Sequence, residues 1–157
     1  MSSQLLSKQH VSVDAWARLL RSHTAMRRSL SADLQSEHGL TVNDYEALLL
    51  LSRAEGGMLR RVDLADGLQL TPSGVTRLLD GLHDLGCVEK ATCQSDARVT
   101  YAVLTEAGRE KLEQAASSHV AAVRALMEER YSEEELETFA ELLGRLPGAG
   151  GVESCTP

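Results

Sequence analysis

Apolar residues recur at three- and four-residue spacing in six stretches of this chain, which predicts six helices. The first runs from about Ser12 to Glu37, and Gly39 is a natural stop behind it. Its apolar face comprises Trp16, Leu19, Leu20, His23, Met26, Leu30 and Leu34. The second runs from about Val42 to Ala54, where Thr41 is a suitable N-cap and Asp44 lies near the positive end of the helix.

The centre of the chain holds a short helix followed by a strongly one-sided one. The short helix is predicted over Val62–Leu68, with Val62 among its inward-facing residues. In the next, Thr71 is the expected N-cap, Pro72 suits the first turn, and Gly86 is expected to end the helix in a left-handed conformation. Its apolar stripe comprises Val75, Leu78, Leu79, Leu82 and Leu85.

Two short strands, Cys87–Thr92 and Val99–Thr105, are predicted next, joined by a polar tip that carries Asp96 and Arg98. Residues Met58–Arg60 are expected to pair with this hairpin as a third, short strand. The fold class is therefore mainly α with a small β-hairpin, and a helix backed by a hairpin is typical of a winged helix-turn-helix.

Two long helices complete the pattern. One is predicted from about Glu106 to Arg130, and the other begins at a capping box formed by Ser132 and Glu135. We interpret residues 12–40 and 105–146 as a helical dimerisation region, 41–104 as the winged helix-turn-helix domain, and 147–157 as a flexible tail. The apolar stripes of the outer helices need a partner surface, and a second copy of the chain is the simplest one.

Composition and charge narrow the function classes. The chain is 43% hydrophobic and 25% charged, with a net charge of −7, as in ordinary globular proteins. No apolar stretch is long enough for a membrane span and no secretory signal is visible, so we expect a cytoplasmic protein with no membrane partner. Residues 106–157 contain eleven Asp/Glu against five Lys/Arg, so the acidic charge lies mainly outside the predicted DNA-binding domain.

The predicted fourth helix and the hairpin tip have side chains suited to double-stranded DNA. Ser73 is small and lets the helix N-terminus approach the duplex, while Thr76 and Arg77 are placed for base or phosphate contacts. Arg98 suits the negative potential of the minor groove, and Asp96 is expected to orient its guanidinium through a bidentate pair. An ordinary surface helix and surface ion pair remain the plainer interpretation of each feature taken alone.

The segments LRRVDLADGLQLTPSGVTRLLDGLHDLGCVEK and DARVTYAVLTEAG resemble the MarR family of transcriptional regulators. In the second segment, the resemblance rests on Asp96, Arg98, Leu104, Thr105 and Gly108. It implies a homodimer with interlocked terminal helices, bound to a pseudo-palindromic operator and acting as a repressor relieved by a small molecule or oxidant. It also implies that the five residues proposed above contact or support DNA contacts.

Two departures from the family pattern reduce the basic charge of the DNA-binding face. Gly81 stands where many relatives have a basic residue, and Glu89-Lys90 stands where relatives often have Arg. The alternative hypothesis is therefore a helical protein-interaction module, an antagonist that kept the fold but lost specific DNA binding.

The candidate sensor residues have ordinary explanations as well. Cys87 fits a small buried hydrophobe better than a reactive thiol, Cys93 has no adjacent base, and Cys155 lies in the tail. His23 and His119 lie on apolar stripes that could face each other, but no metal-ligand spacing accompanies them, so no metal or other cofactor is expected.

An aromatic or anionic effector is expected to bind where the first, second and fifth helices meet the winged domain. By position, Trp16, His23, Arg27 and Tyr45 are the residues that would line this pocket, although Trp16 equally suits a dimer interface. No catalytic motif is recognisable, so no enzymatic activity and no catalytic residue are predicted.

Overall fold

The helices and strands form in the predicted order, with ends that differ from the predicted ones by one or two residues. The structure, a computed structural model, describes residues 10–148. The helices are α1 (Val11–His38), α2 (Val42–Arg53), α3 (Arg61–Leu68), α4 (Pro72–Asp84), α5 (Glu106–Glu128) and α6 (Glu133–Gly144), and the strands are β1 (Met58–Arg60), β2 (Val88–Thr92) and β3 (Thr100–Leu104). The predicted tail, including Cys155, lies largely outside the described residues.

Local capping interactions explain why α2 and α6 begin where they do. The Thr41 hydroxyl accepts a hydrogen bond from the Asp44 amide, and the Asp44 carboxylate accepts one from the Thr41 amide at 2.8 Å. Ser132 and Glu135 form the same reciprocal box at α6. Each box satisfies backbone donors that the first helical turn would otherwise leave without partners.

The three strands form one antiparallel sheet in the order β1-β3-β2. The pairs Leu59–Ala102 and Lys90–Ala102 show that β3 lies in the centre. This confirms the predicted pairing of the short strand with the hairpin. The sheet fixes the hairpin against the helices, so that its tip is carried by a three-stranded base.

The chain divides into two compact units, and the first, which extends to His119, contains the main core. This core joins α2, α4, the sheet, the end of α1 and the first part of α5. Its fully buried side chains include Leu40, Leu48, Leu51, Leu64, Val75, Leu82 and Val88. Val62 is 57% exposed, so its predicted inward orientation is wrong; of the short helix, Leu64 and Ala65 are the buried residues.

Gly108 allows the start of α5 to pack directly on the turn between α4 and β2. A Cβ at this position would lie 2.1 Å from the Cys87 carbonyl oxygen, a backbone atom that cannot move aside cheaply. The Thr105 hydroxyl donates to the Gly86 carbonyl at 2.6 Å and accepts from the Gly108 amide at 3.0 Å. Gly86 has φ +72°, as predicted for a left-handed stop. The threonine and two glycines thus join the hairpin to α5.

The second unit begins at Val120 and contains the end of α5 together with α6. Tyr131 and Phe139 stack with ring centroids 5.8 Å apart. Among its described residues, α6 has none that is buried. A largely apolar groove of about 350 Å³ lies between α5 and α6, with Val123, Met127, Leu136, Phe139 and Leu143 among its lining residues.

Candidate DNA-binding site

Helix α4 presents the predicted contact residues on the face opposite its core residues. Its inward face is buried through Val75, Leu79 and Leu82. Ser73 and Arg77 are exposed on the other side, and Thr76 is half-buried beside them. The Thr71 hydroxyl caps the helix by accepting from the Gly74 amide at 3.1 Å, as predicted. Three of the five predicted DNA-binding residues therefore lie on one polar helix face.

The hairpin tip carries Arg98 as an exposed cation, but Asp96 supports it differently from the prediction. Asp96 Oδ1 accepts a hydrogen bond from the backbone amide of Arg98 at 3.0 Å. No ion pair joins their side chains in the described structure, so the predicted bidentate pair is wrong. A carboxylate two residues before an amide closes an Asx turn more readily than it reaches a long guanidinium pointing outwards. Asp96 therefore shapes the loop and leaves the Arg98 guanidinium available.

Two other cations of the winged module are held by carboxylates, and neither pair is predicted from the sequence. Lys90 of β2 pairs with Asp80 of α4. Arg60 forms a two-pronged pair with Asp63, with N–O distances of 2.6 and 2.7 Å. The hydrogen bond from Arg60 lowers the pKa of Asp63 below its usual range. Arg77 and Arg98, in contrast, form no ion pair within residues 10–148.

The two described cysteines have opposite environments. Cys87 is 2% exposed, and its burial raises the pKa of its thiol, which confirms the prediction of a small buried hydrophobe. Cys93 lies half-buried on the hairpin, and its Sγ is 3.1 Å from Ser95 Oγ. Hydrogen bonds from Ser95, followed by those from backbone amides, lower the pKa of the Cys93 thiol. This environment depends on the folded tip and could not be inferred from neighbouring charges.

Of the four predicted pocket residues, only Arg27 and Tyr45 are at least partly buried. Arg27 of α1 contacts Glu46 at 3.2 Å and also hydrogen-bonds Asn43, both on α2. Tyr45 is buried one position away from Glu46. Trp16 is 60% exposed and His23 is exposed as well, because nothing within residues 10–148 covers the first half of α1. The described part of one chain therefore does not enclose the predicted pocket.

His119 lies on the stripe of α5 that could face His23 according to the sequence. In the structure its ring packs against Tyr45, with ring centroids 4.6 Å apart. Its Nδ1 is buried without a hydrogen-bond partner. Burial lowers the pKa of His119, and the negative charge of Glu46 opposes this shift only in part. Across residues 10–148, no group of three His, Cys, Asp or Glu side chains is arranged to hold a metal ion. The helices in this range are also too short or too polar to cross a membrane.

Comparisons with known proteins agree with this architecture. A family model described as the MarR family matches residues 38–99, which includes α2, α3, α4, β2 and the hairpin tip and ends just before β3. The HTH-type transcriptional repressor YetL of Bacillus subtilis (strain 168) is 35% identical over 108 residues, which is 69% of this chain and 64% of YetL. The aligned part of the chain thus spans slightly less than two thirds of that relative.

Two solved structures extend the similarity over most of the chain. AbsC, a MarR family transcriptional regulator from Streptomyces coelicolor, is 33% identical with a TM-score of 0.76, over 87% of this chain and 91% of AbsC. Sco3205, a MarR family regulator from the same organism solved in complex with DNA, is 26% identical with a TM-score of 0.77, over 88% of each chain. The winged helix-turn-helix, the outer helices and these matches together show that this chain belongs to the MarR family of transcriptional regulators.

Proposed function

We propose that this protein is a ligand-responsive transcriptional repressor that binds a pseudo-palindromic operator as a homodimer. The observation that carries the proposal is the joint exposure of the α4 polar face and the Arg98 guanidinium on one winged module. The DNA complex of Sco3205 and the description of YetL as a repressor support it. A regulator of this kind works in the cytoplasm, beside the chromosome, and has no need of enzymatic activity.

In this proposal the module uses two grooves of the duplex. Helix α4 enters the major groove, where Ser73 lets the backbone come close and Thr76 and Arg77 contact base edges or phosphates. The hairpin follows the neighbouring minor groove, where Arg98 lies in the negative potential between the two phosphate strands. Asp96 contributes by closing the turn that presents Arg98.

The small number of free cations makes the second copy of the chain important. Since Lys90 and Arg60 are held by Asp80 and Asp63, each module offers little unpaired positive charge. Phosphate contacts provide most of the salt-dependent affinity of a DNA-binding protein. Two modules on two half-sites double these contacts, and a symmetric dimer places them on a pseudo-palindromic site.

Exposed apolar surface on both units supports the homodimer. On α1, Val11 is 84%, Val13 60% and Trp16 60% exposed. In the second unit, Leu142 is 49% exposed and lines a second groove together with Tyr131 and Phe139. Surface of this kind usually marks a protein contact. Trp16 is accordingly assigned to the dimer interface, where a buried tryptophan is a strong anchor.

The effector would act at the polar cluster between α1 and α2. Arg27 is balanced by Glu46, so an anionic effector would have to compete with this carboxylate. The unpartnered Nδ1 of His119 and the ring of Tyr45 lie beside Glu46 and offer a hydrogen bond and an aromatic surface. A contact there would change the packing of α1 on α2, and with it the distance between the two modules. Trp16 and His23 would join such a pocket only through the second copy.

A gel-shift titration tests the DNA-binding proposal directly. The labelled probe is the DNA upstream of the chain's own gene, and the titration is run at low and at physiological salt. We expect a sequence-dependent shift, and Arg98→Ala should weaken it by roughly 1–3 kcal/mol while leaving the dimer intact. The matched control is Arg18→Ala, which removes an exposed arginine from α1. Absence of any sequence-dependent shift at low salt would refute the repressor and favour the antagonist.

A further inference from the structure

Arg61, the first residue of α3, lies against the outer face of α4. Its Nη1 is 3.4 Å from the Thr76 hydroxyl oxygen. That hydroxyl donates its own hydrogen to the Pro72 carbonyl at 2.9 Å, so its oxygen is free to accept from the guanidinium. A cation from the neighbouring helix thus lies beside Thr76, in the middle of the polar α4 face.

Arg60 and Arg61 are adjacent in sequence but differ in charge balance. Arg60 donates two hydrogen bonds to the carboxylate of Asp63, and this carboxylate neutralises its charge. Arg61 is exposed and forms no ion pair with any carboxylate of residues 10–148. A guanidinium has five N–H donors in a fixed fork, and one hydrogen bond to Thr76 leaves most of them available.

We propose that Arg61 is a further DNA-binding residue, which contacts a backbone phosphate beside the groove that α4 enters while it holds Thr76 in place. This inference rests on the proposed function. In helix-turn-helix proteins the first helix crosses the phosphate backbone while the second lies in the major groove, and α3 and α4 have these two positions. A guanidinium binds phosphate through two parallel N–H donors, so Arg61 is suited to bind two oxygens of one phosphate group.

The pairing of Arg60 with Asp63 supports this division of roles. The pair spans the first turn of α3 and leaves Arg61 directed towards Thr76. If Asp63 were paired with Arg61 instead, the phosphate contact would compete with an internal carboxylate. With Arg61 unpaired, the described part of the module has three arginines without an ion pair, Arg61, Arg77 and Arg98, one more than the two principal cations expected from the sequence.

The test compares the binding of a fluorescein-labelled duplex, taken from upstream of the chain's own gene, across a salt series. We expect Arg61→Ala to weaken binding about tenfold, and to reduce the slope of log K for the dimer against log salt by about two, one for each copy of Arg61. Arg61→Lys should keep most of the slope because the charge remains, and Arg18→Ala should change neither quantity. Circular dichroism melts show whether each variant is folded.

A double-mutant cycle tests the contact between Arg61 and Thr76. Thr76→Val removes the acceptor but keeps the shape, and the loss caused by Arg61→Ala should be smaller in that background than in the parent. If folded Arg61→Ala binds with the parent's affinity and slope while Arg98→Ala is impaired, the role of Arg61 is refuted and the proposed function stands. If the parent itself shows no sequence-dependent binding, both are refuted.

Discussion

Leu82 in α4 and Leu142 in α6 occupy similar positions in their helices, because each lies on the apolar stripe of a capped helix. Their surroundings differ. Leu82 is 0% exposed and belongs to the core of the first unit. Leu142 is 49% exposed, on a helix with no buried residue. The amphipathic pattern predicts which face of a helix will be covered, and it does not say whether the same chain provides the cover.

This difference separates the work of the two regions. The winged module completes its core within one chain, so it presents α4 and the hairpin as a rigid pair. The exposed apolar residues of α1 and α6 instead require a second surface, for which we propose the second copy. DNA reading and dimer formation can therefore be disturbed separately.

The largest expected effect is a cavity in the module core. Leu82→Ala should lower the free energy of unfolding by about 2–5 kcal/mol, because a fully buried leucine loses its contacts and leaves a void. Urea denaturation followed by circular dichroism measures this loss. In the matched change, Leu142→Ala, the free energy of unfolding measured at low protein concentration should stay within about 0.5 kcal/mol of the parent value. Equal losses at both positions would remove the contrast between the two regions.

A second test uses two glycines of the module that differ in the space around them. Gly108→Ala should destabilise the protein by about 1–3 kcal/mol, since the new Cβ would collide with the Cys87 backbone. Gly81→Ala on the exposed side of α4 meets no atom within 4 Å and should stabilise the helix by about 1 kcal/mol. Thermal unfolding of both variants measures the two changes. Opposite signs are expected, and equal signs would contradict the described packing.

The outer helices are tested by a charge on the exposed stripe. Leu142→Glu should raise the dissociation constant of the dimer about tenfold or more, because a carboxylate would have to be buried in an apolar contact. Sedimentation equilibrium measures the constant. Gln94→Glu on the hairpin adds the same charge at an exposed site and should leave the dimer unchanged. A dimer that tolerates Leu142→Glu would place the interface elsewhere.

The smallest effect is the pH dependence contributed by His119. Burial lowers the pKa of this side chain in the folded protein. As the pH falls through the ordinary pKa of histidine, the unfolded chain therefore takes up a proton before the folded one does. The free energy of unfolding should therefore decrease below about pH 6.5, and the His119 contribution is fully present above it. His119→Phe keeps a ring beside Tyr45 and should flatten this part of the profile. An unchanged slope in that variant would show that other groups cause it.

Local signals explain how much of this fold could be predicted from the sequence. Thr41 with Asp44, Thr71 with Pro72, and Ser132 with Glu135 act within four residues, and all three helix starts are confirmed. The exposed face of α4 followed from the same periodicity that gave its core. These features depend on neighbours in the chain, which a single sequence displays.

The missed features depend on residues that are distant in the sequence or on the folded loop. The contact of Arg61 with Thr76 and the pair of Asp80 with Lys90 join different elements, and no spacing rule connects them. Asp96 accepts a hydrogen bond from the backbone amide of Arg98 and not, as predicted, from its guanidinium, because the geometry of the folded turn decides between the two donors. The predicted domain boundaries and the DNA-contact roles of the site residues stay predictions.

The central claim is that each chain contains a complete DNA-binding module and that the outer helices join two chains in a dimer. Sedimentation velocity of the full chain, alone and with its upstream DNA, tests this claim directly. The free protein should sediment as a species of twice 17.0 kDa, and two chains should bind each operator duplex. Leu142→Glu should shift the free protein towards the single-chain mass and weaken DNA binding together with it. A parent that sediments as a single chain at all concentrations and binds DNA one chain at a time would contradict the account.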